Sequence, residues 1–121
     1  MAITKRKDGN TVVYSLGEET VLTASFEKGE ENILKIKGAI KTLVDPCFEE
    51  VISEATASGE ELTMDFSDVT YIASAGLRVL LNMQTKIDDN ESSCVFIANI
   101  PENIKEVFEQ TGFINILSIK D

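Results

Sequence analysis

The chain has 121 residues, 43% of them hydrophobic, which suits one small core and is too short for two. Asp and Glu total 21 against 11 Lys and Arg, a formal charge of -10, so phosphate backbones and anionic lipid surfaces are repelled and neither nucleic acid nor membrane is an expected partner. The two cysteines, Cys47 and Cys94, match no CxxC or zinc spacing and are expected as free thiols, and no apolar stretch approaches the roughly 18 residues of a membrane span, so the expected location is the cytoplasm.

In chain order, residues 11–15 and 20–26 are rich in β-branched and aromatic side chains around a turn at Gly17-Glu18-Glu19, and read as a hairpin. Ile33-Leu34-Lys35-Ile36-Lys37 follows as a strand broken by Gly38. Asp45-Pro46 reads as a helix start, with Asp45 as the cap and Pro46 in the first turn. Phe48, Val51, Ile52 and Ala55 then make an apolar stripe, and the helix should end near Gly59.

Leu62-Thr63-Met64-Asp65-Phe66 alternates as a strand, turns at Ser67-Asp68, and resumes as a short extended segment Val69-Thr70-Tyr71-Ile72. After Ala73-Ser74-Ala75-Gly76, the spacing of Leu77, Leu80, Leu81, Gln84 and Ile87 predicts a helix. Ser93 to Ala98 is a nearly continuous apolar run, expected as a strand covered on both faces. Pro101 opens a third helix whose stripe is Ile104, Val107 and Phe108, Gly112 ends it, and Phe113 to Ile119 supplies a last strand. From residue 32 onward strands and helices alternate, which predicts an α/β fold with a mixed, largely parallel sheet and right-handed crossovers.

Chemistry has little to work with. No histidine is present, so a serine or cysteine nucleophile lacks its usual base, and a Gly-x-Ser-x-Gly elbow at Ser74 would need glycine where Ile72 stands. No phosphate-cradling GxxxxGK[ST] loop occurs. Asp65 is the best-placed acid, yet a lone carboxylate specifies no reaction and can equally cap the turn through Ser67 and Asp68. No catalytic residue, metal or cofactor is expected.

Ser74 carries two readings. It can serve as the N-cap of the following helix, worth about 1 kcal/mol. Alternatively, the small Ala75 and Gly76 leave the backbone open to another protein, and a phosphate on Ser74, tolerated by the helix dipole, would block that approach.

Leu62-Thr63-Met64-Asp65-Phe66-Ser67, then Val69-Thr70-Tyr71-Ile72, then Ser74-Ala75-Gly76-Leu77-Arg78-Val79-Leu80-Leu81 resemble the signature strand, loop and helix of the STAS family, specifically its stand-alone anti-sigma factor antagonists. Val107-Phe108-Glu109-Gln110-Thr111-Gly112-Phe113 is similar to that family's last helix and final strand, and Gly38-Ala39-Ile40 agrees as well. The resemblance covers residues 32 to 119 of a single domain spanning 1–121, and leaves residues 1–31 as an N-terminal β elaboration.

It implies a protein that captures an anti-sigma factor, itself a serine kinase with a histidine-kinase-like ATPase fold. Phosphorylation of a loop serine ends the capture, and a metal-dependent serine phosphatase restores it. On this chain Ser74 is the only hydroxyl left in that loop, so either it takes the phosphate or the protein is a constitutive, unmodified binder; the implied partner contacts are Asp65, Ser67, Tyr71, Ala73, Ser74, Ala75, Gly76, Leu77 and Arg78. Three positions depart from the family pattern: Ala73 replaces an Asp, Ala75 stands where many members carry the modified serine, and Lys41 replaces a frequent Asp. The alternative within the superfamily is a scaffold or sensor subunit that binds a nucleotide or lipid.

Overall fold

The computed structural model describes residues 2–89 and 94–120. They form β1 (Thr4–Asp8), β2 (Thr11–Leu16), β3 (Glu19–Glu27), β4 (Ile33–Ile40), α1 (Asp45–Thr56), β5 (Leu62–Ile72), α2 (Ser74–Asp89), β6 (Val95–Ala98), α3 (Glu102–Thr111) and β7 (Ile119–Lys120). The seven strands lie in one sheet in sequence order; the first four run antiparallel to their neighbours, and β4 to β7 are parallel. The predicted mixed α/β architecture is therefore the observed one.

Each crossover among β4 to β7 steps the same way, and right-handed connections then put all three helices on one side of the sheet. Phe66 of β5 demonstrates it: its ring meets Phe48 of α1 at 6.4 Å between centroids and Phe108 of α3 at 6.5 Å. Leu34 and Ile36, Leu62 and Met64, Val95 and Ile97 share that side and are buried. The opposite side is polar, with Ser25, Lys35 and Asp65 in one cross-strand row and Thr23, Lys37 and Asp68 in the next.

Several expectations need correction. The N-terminal hairpin is a three-stranded meander, because Thr4–Asp8 pairs with Thr11–Leu16 although every β1 residue is exposed and none signals a strand by alternation. Gly38 does not end β4 but sits inside it at φ 133°, where a Cβ would lie 2.9 Å from the Val21 carbonyl oxygen. Register shifts on both sides of it let β5 carry extra residues opposite β4. Ser67 and Asp68 are thus bulge residues within one continuous strand rather than a turn between two segments.

Asp45 is the first residue of α1 and not its cap, because a 3-10 turn at Thr42–Val44 runs directly into the helix. Gly112 ends α3 in the left-handed conformation as expected, φ 82°. The predicted strand from Phe113 to Ile119 is instead a 3-10 turn at Phe113–Asn115 followed by the two-residue β7; the Ile116 and Leu117 amides both bond to the Phe113 carbonyl and curl the chain. Ser93, expected to open β6, lies outside the described residues. Cys47 and Cys94 are free thiols, half-buried.

Tyr14 is buried between the sheet and α1 and donates a 3.2 Å hydrogen bond to Glu50. Burial first, and then the Glu50 charge, push its phenol up to about 12. The folded chain keeps a proton that the unfolded chain releases near pH 10, so this contribution to stability is intact below pH 10 and is lost as pH rises towards 12. Tyr71 is the other tyrosine. In Tyr71→Phe, ultraviolet titration of the single remaining phenol should give a midpoint about 12; a midpoint near 10 would refute the burial argument.

Candidate functional site

The corner where β5 gives way to α2 is built from backbone first. The Ala73 amide donates to the Ile40 carbonyl at 2.8 Å, holding the exits of β4 and β5 together. The Leu77 amide then donates to the Ala73 carbonyl at 3.1 Å, which makes Ala73 the capping position and Ser74 the first helical residue. The N-cap reading of Ser74 is therefore corrected: one residue into the helix, its hydroxyl is on the exposed outer surface, with no hydrogen bond among the described residues.

Gly76 has a different role from the one expected. It is buried, and a Cβ there would lie 2.8 Å from both Ile40 Cγ2 and Ile72 Cγ1. Its small size lets α2 seat against the ends of β4 and β5 rather than opening the helix to a partner. Gly76→Ala should cost up to about 2 kcal/mol, the overpacking of about 1–3 kcal/mol less about 1 kcal/mol of helix propensity gained. A lowered melting temperature checks this; an unchanged or raised one would show that Ile40 and Ile72 yield freely.

The other residues fall into two groups. Ser74 and Arg78 are exposed on one face of α2, spaced i and i+4, and Leu81 continues that face with 38% of its surface exposed. Leu43, 55% exposed, lies in the Thr42–Val44 turn that packs against α2. Ala75 is half-buried beside them, and Leu77, 7% exposed, points into the core. Leu81 belongs to the spacing that predicts the helix, and because the buried face of α2 runs through Gly76, Leu77, Val79, Leu80, Met83 and Gln84 it turns outward.

Tyr71 emerges at the same end of the sheet, half exposed, but alternation from Ile72 places it on the side away from the helices. Asp65 and Ser67 do not join the corner. At about 3.3 Å per residue, the strand between Asp65 and Ile72 covers roughly 20 Å. Asp65 accepts the Ser67 amide at 2.9 Å inside the bulge, the turn-capping role. Burial raises its pKa, but the Ser67 amide and hydroxyl, the Asn99 side chain and Lys35 outweigh it and hold the carboxyl below its ordinary range.

Leu43 and Leu81 are surface residues that sequence reasoning missed. For Leu81 the signal was present, since it follows Ser74 and Arg78 at i+7 and i+3. For Leu43, a single leucine in a short turn, none was.

The family model for the STAS domain matches residues 24–121, from the middle of β3 to the last residue. The chain belongs to the STAS domain family. Among solved structures, an anti-sigma factor antagonist from Mycobacterium paratuberculosis superposes on this STAS domain with TM-score 0.71 at 19% identity, over 81% of this chain and 84% of that one. The anti-sigma factor antagonist SpoIIAA in its unphosphorylated form gives TM-score 0.63 at 14% identity over 81% and 88%. The murine anion transporter Slc26a9 also matches, TM-score 0.63 at 14% identity, but only 17% of that chain is covered. No curated protein sequence matches. At these identities the likeness establishes the fold. The STAS match does not include β1 and β2.

Proposed function

We propose that this STAS domain is an anti-sigma factor antagonist that acts by binding and carries out no catalysis. Its docking surface is the outer face of α2 at Ser74, Arg78 and Leu81, with Leu43 of the adjoining turn and Ala73 and Ala75 at the corner. The partner is an anti-sigma factor that is also a serine kinase of the histidine-kinase-like ATPase fold, in the cytoplasm. A metal-dependent serine phosphatase resets the switch.

The observation that carries this reading is the exposed Ser74 hydroxyl at the first position of a 16-residue helix, beside exposed apolar side chains. A kinase can reach such a hydroxyl, and the helix N-terminus tolerates about two added negative charges. A partner covering Leu43 and Leu81 cannot, since it would desolvate the phosphate. The anti-sigma factor antagonists among the similar structures, one of them SpoIIAA in a phosphorylated form, support the same reading.

Incubation with ATP and an anti-sigma factor kinase of the same organism that binds this protein, followed by mass spectrometry, should place one phosphate on Ser74 and none on a Ser74→Ala variant. Phosphate elsewhere, or none, would remove the switch while leaving the docking surface to be tested by Leu81. Leu81→Glu should weaken the kinase complex at least tenfold with little change in melting temperature, and undiminished binding would exclude this face of α2.

A further inference from the structure

The STAS match begins within β3, and a sheet that ended at β3 would be bordered by a strand whose only charged residues are Glu19 and Glu27. This chain adds β1 and β2, and the edge becomes Thr4-Lys5-Arg6-Lys7-Asp8, three consecutive cations on a protein of net charge -10. The addition reverses the sign of the sheet's border.

The new edge is firmly held. Lys5 bonds to Glu50, approaches Glu54 at 3.6 Å, and lies over the Tyr14 ring, 5.9 Å from its centroid. At the far end Asn10 and Phe26 exchange two bonds: the Phe26 amide to the Asn10 carbonyl at 3.0 Å, and the Asn10 side-chain amide to the Phe26 carbonyl at 2.8 Å. Lys5 is thus used to pin the strand to α1, whereas Arg6 and Lys7 are exposed and form no ion pair among the described residues. As the first strand in the sheet, β1 also leaves the outward half of its backbone amides and carbonyls without a strand partner.

We propose that β1 is a second docking edge, which takes an extended acidic segment of another polypeptide as an added antiparallel strand. The backbone groups supply affinity, and Arg6 and Lys7 select carboxylates opposite them. A second copy of this chain is disfavoured as occupant, because antiparallel self-pairing centred on Arg6 would set Arg6 against Arg6 and Lys5 against Lys7. The overall negative charge does not forbid an acidic guest, because exposed charges beyond about 8 Å are screened at physiological ionic strength while the local cations are in contact. The ordering cost is already met by the pinned strand.

The experiment uses the full chain and a fluorescent extended peptide with two consecutive glutamates flanked by valine and threonine, so that one carboxylate falls on each side of the sheet, a version with lysine for glutamate, and a version methylated on alternate backbone nitrogens. The glutamate peptide should bind and slow amide exchange in Thr4–Asp8. The lysine peptide should not bind, and backbone methylation should weaken binding at least tenfold. Arg6→Glu combined with Lys7→Glu should weaken the glutamate peptide at least tenfold without lowering the melting temperature or altering capture of the kinase partner. Absence of binding would show that the cations only protect the edge from strand addition, and equal binding of the methylated peptide would show charge attraction without pairing. Either result overturns the proposal.

Discussion

Ser74→Asp should weaken the complex with the proposed anti-sigma factor partner by about thirty-fold or more, without loss of fold stability. The two effects have opposite origins. A carboxylate at the first position of α2 faces the amides of the first turn, an arrangement worth about 0.3–1 kcal/mol of stabilisation at a helix N-terminus. The same charge beneath a docked protein is desolvated, Arg78 at i+4 offsetting only part of the cost, which is about 2–5 kcal/mol, and about 1.4 kcal/mol is tenfold in affinity. Titration calorimetry and a thermal melt on one preparation read both quantities. Wild-type affinity in the variant would end the proposal of a charge-controlled corner, and a lowered melting temperature would attribute any loss of affinity to misfolding.

Phe66→Ala should have the largest effect on the fold, about 3–5 kcal/mol, typical of deleting a fully buried aromatic ring. Phe66 is wholly buried and tilted against both Phe48 and Phe108, so truncation opens a hole where α1, β5 and α3 converge. For a domain of this length the melting temperature should fall by roughly 12–20 °C, at about 4 °C per kcal/mol. A drop of only a few degrees would mean that the two neighbouring rings collapse into the space.

Helix signals proved legible wherever local chemistry alone decides the backbone. The stripe Phe48, Val51, Ile52 forms the buried face of α1, Ile104 and Phe108 that of α3, and Gly112 terminates α3 with the positive φ that glycine permits. The order of elements after residue 32 sufficed for the parallel half of the sheet. Long-range pairing decided the rest. Nothing local in Thr4-Lys5-Arg6-Lys7-Asp8 favours a strand; it extends because β2 offers five partners. Ser67-Asp68 has the composition of a turn, yet the Asp65 carboxylate satisfies the Ser67 amide and Lys35 meets Asp68 at 3.5 Å, so the extra residue is absorbed within the strand.

At the site, the serine, the arginine and the helix were legible, and the contacts fixing their phase were not. Ser74 lost its capping role because the Ile40 carbonyl takes the Ala73 amide and sets the helix start one residue earlier. The inward demand of Gly76 against Ile40 and Ile72 then fixes the rotation of α2 and carries Leu81 to the surface.

The bond from Ala73 to Ile40 carries a thermodynamic consequence. Because it clamps the two strand exits, the turn bearing Leu43 and the first turn of α2 move as one body, and an arriving partner finds a shape that needs no remodelling. Association should therefore show a heat-capacity change set by the apolar area covered, without the additional increment of a segment that folds as it binds.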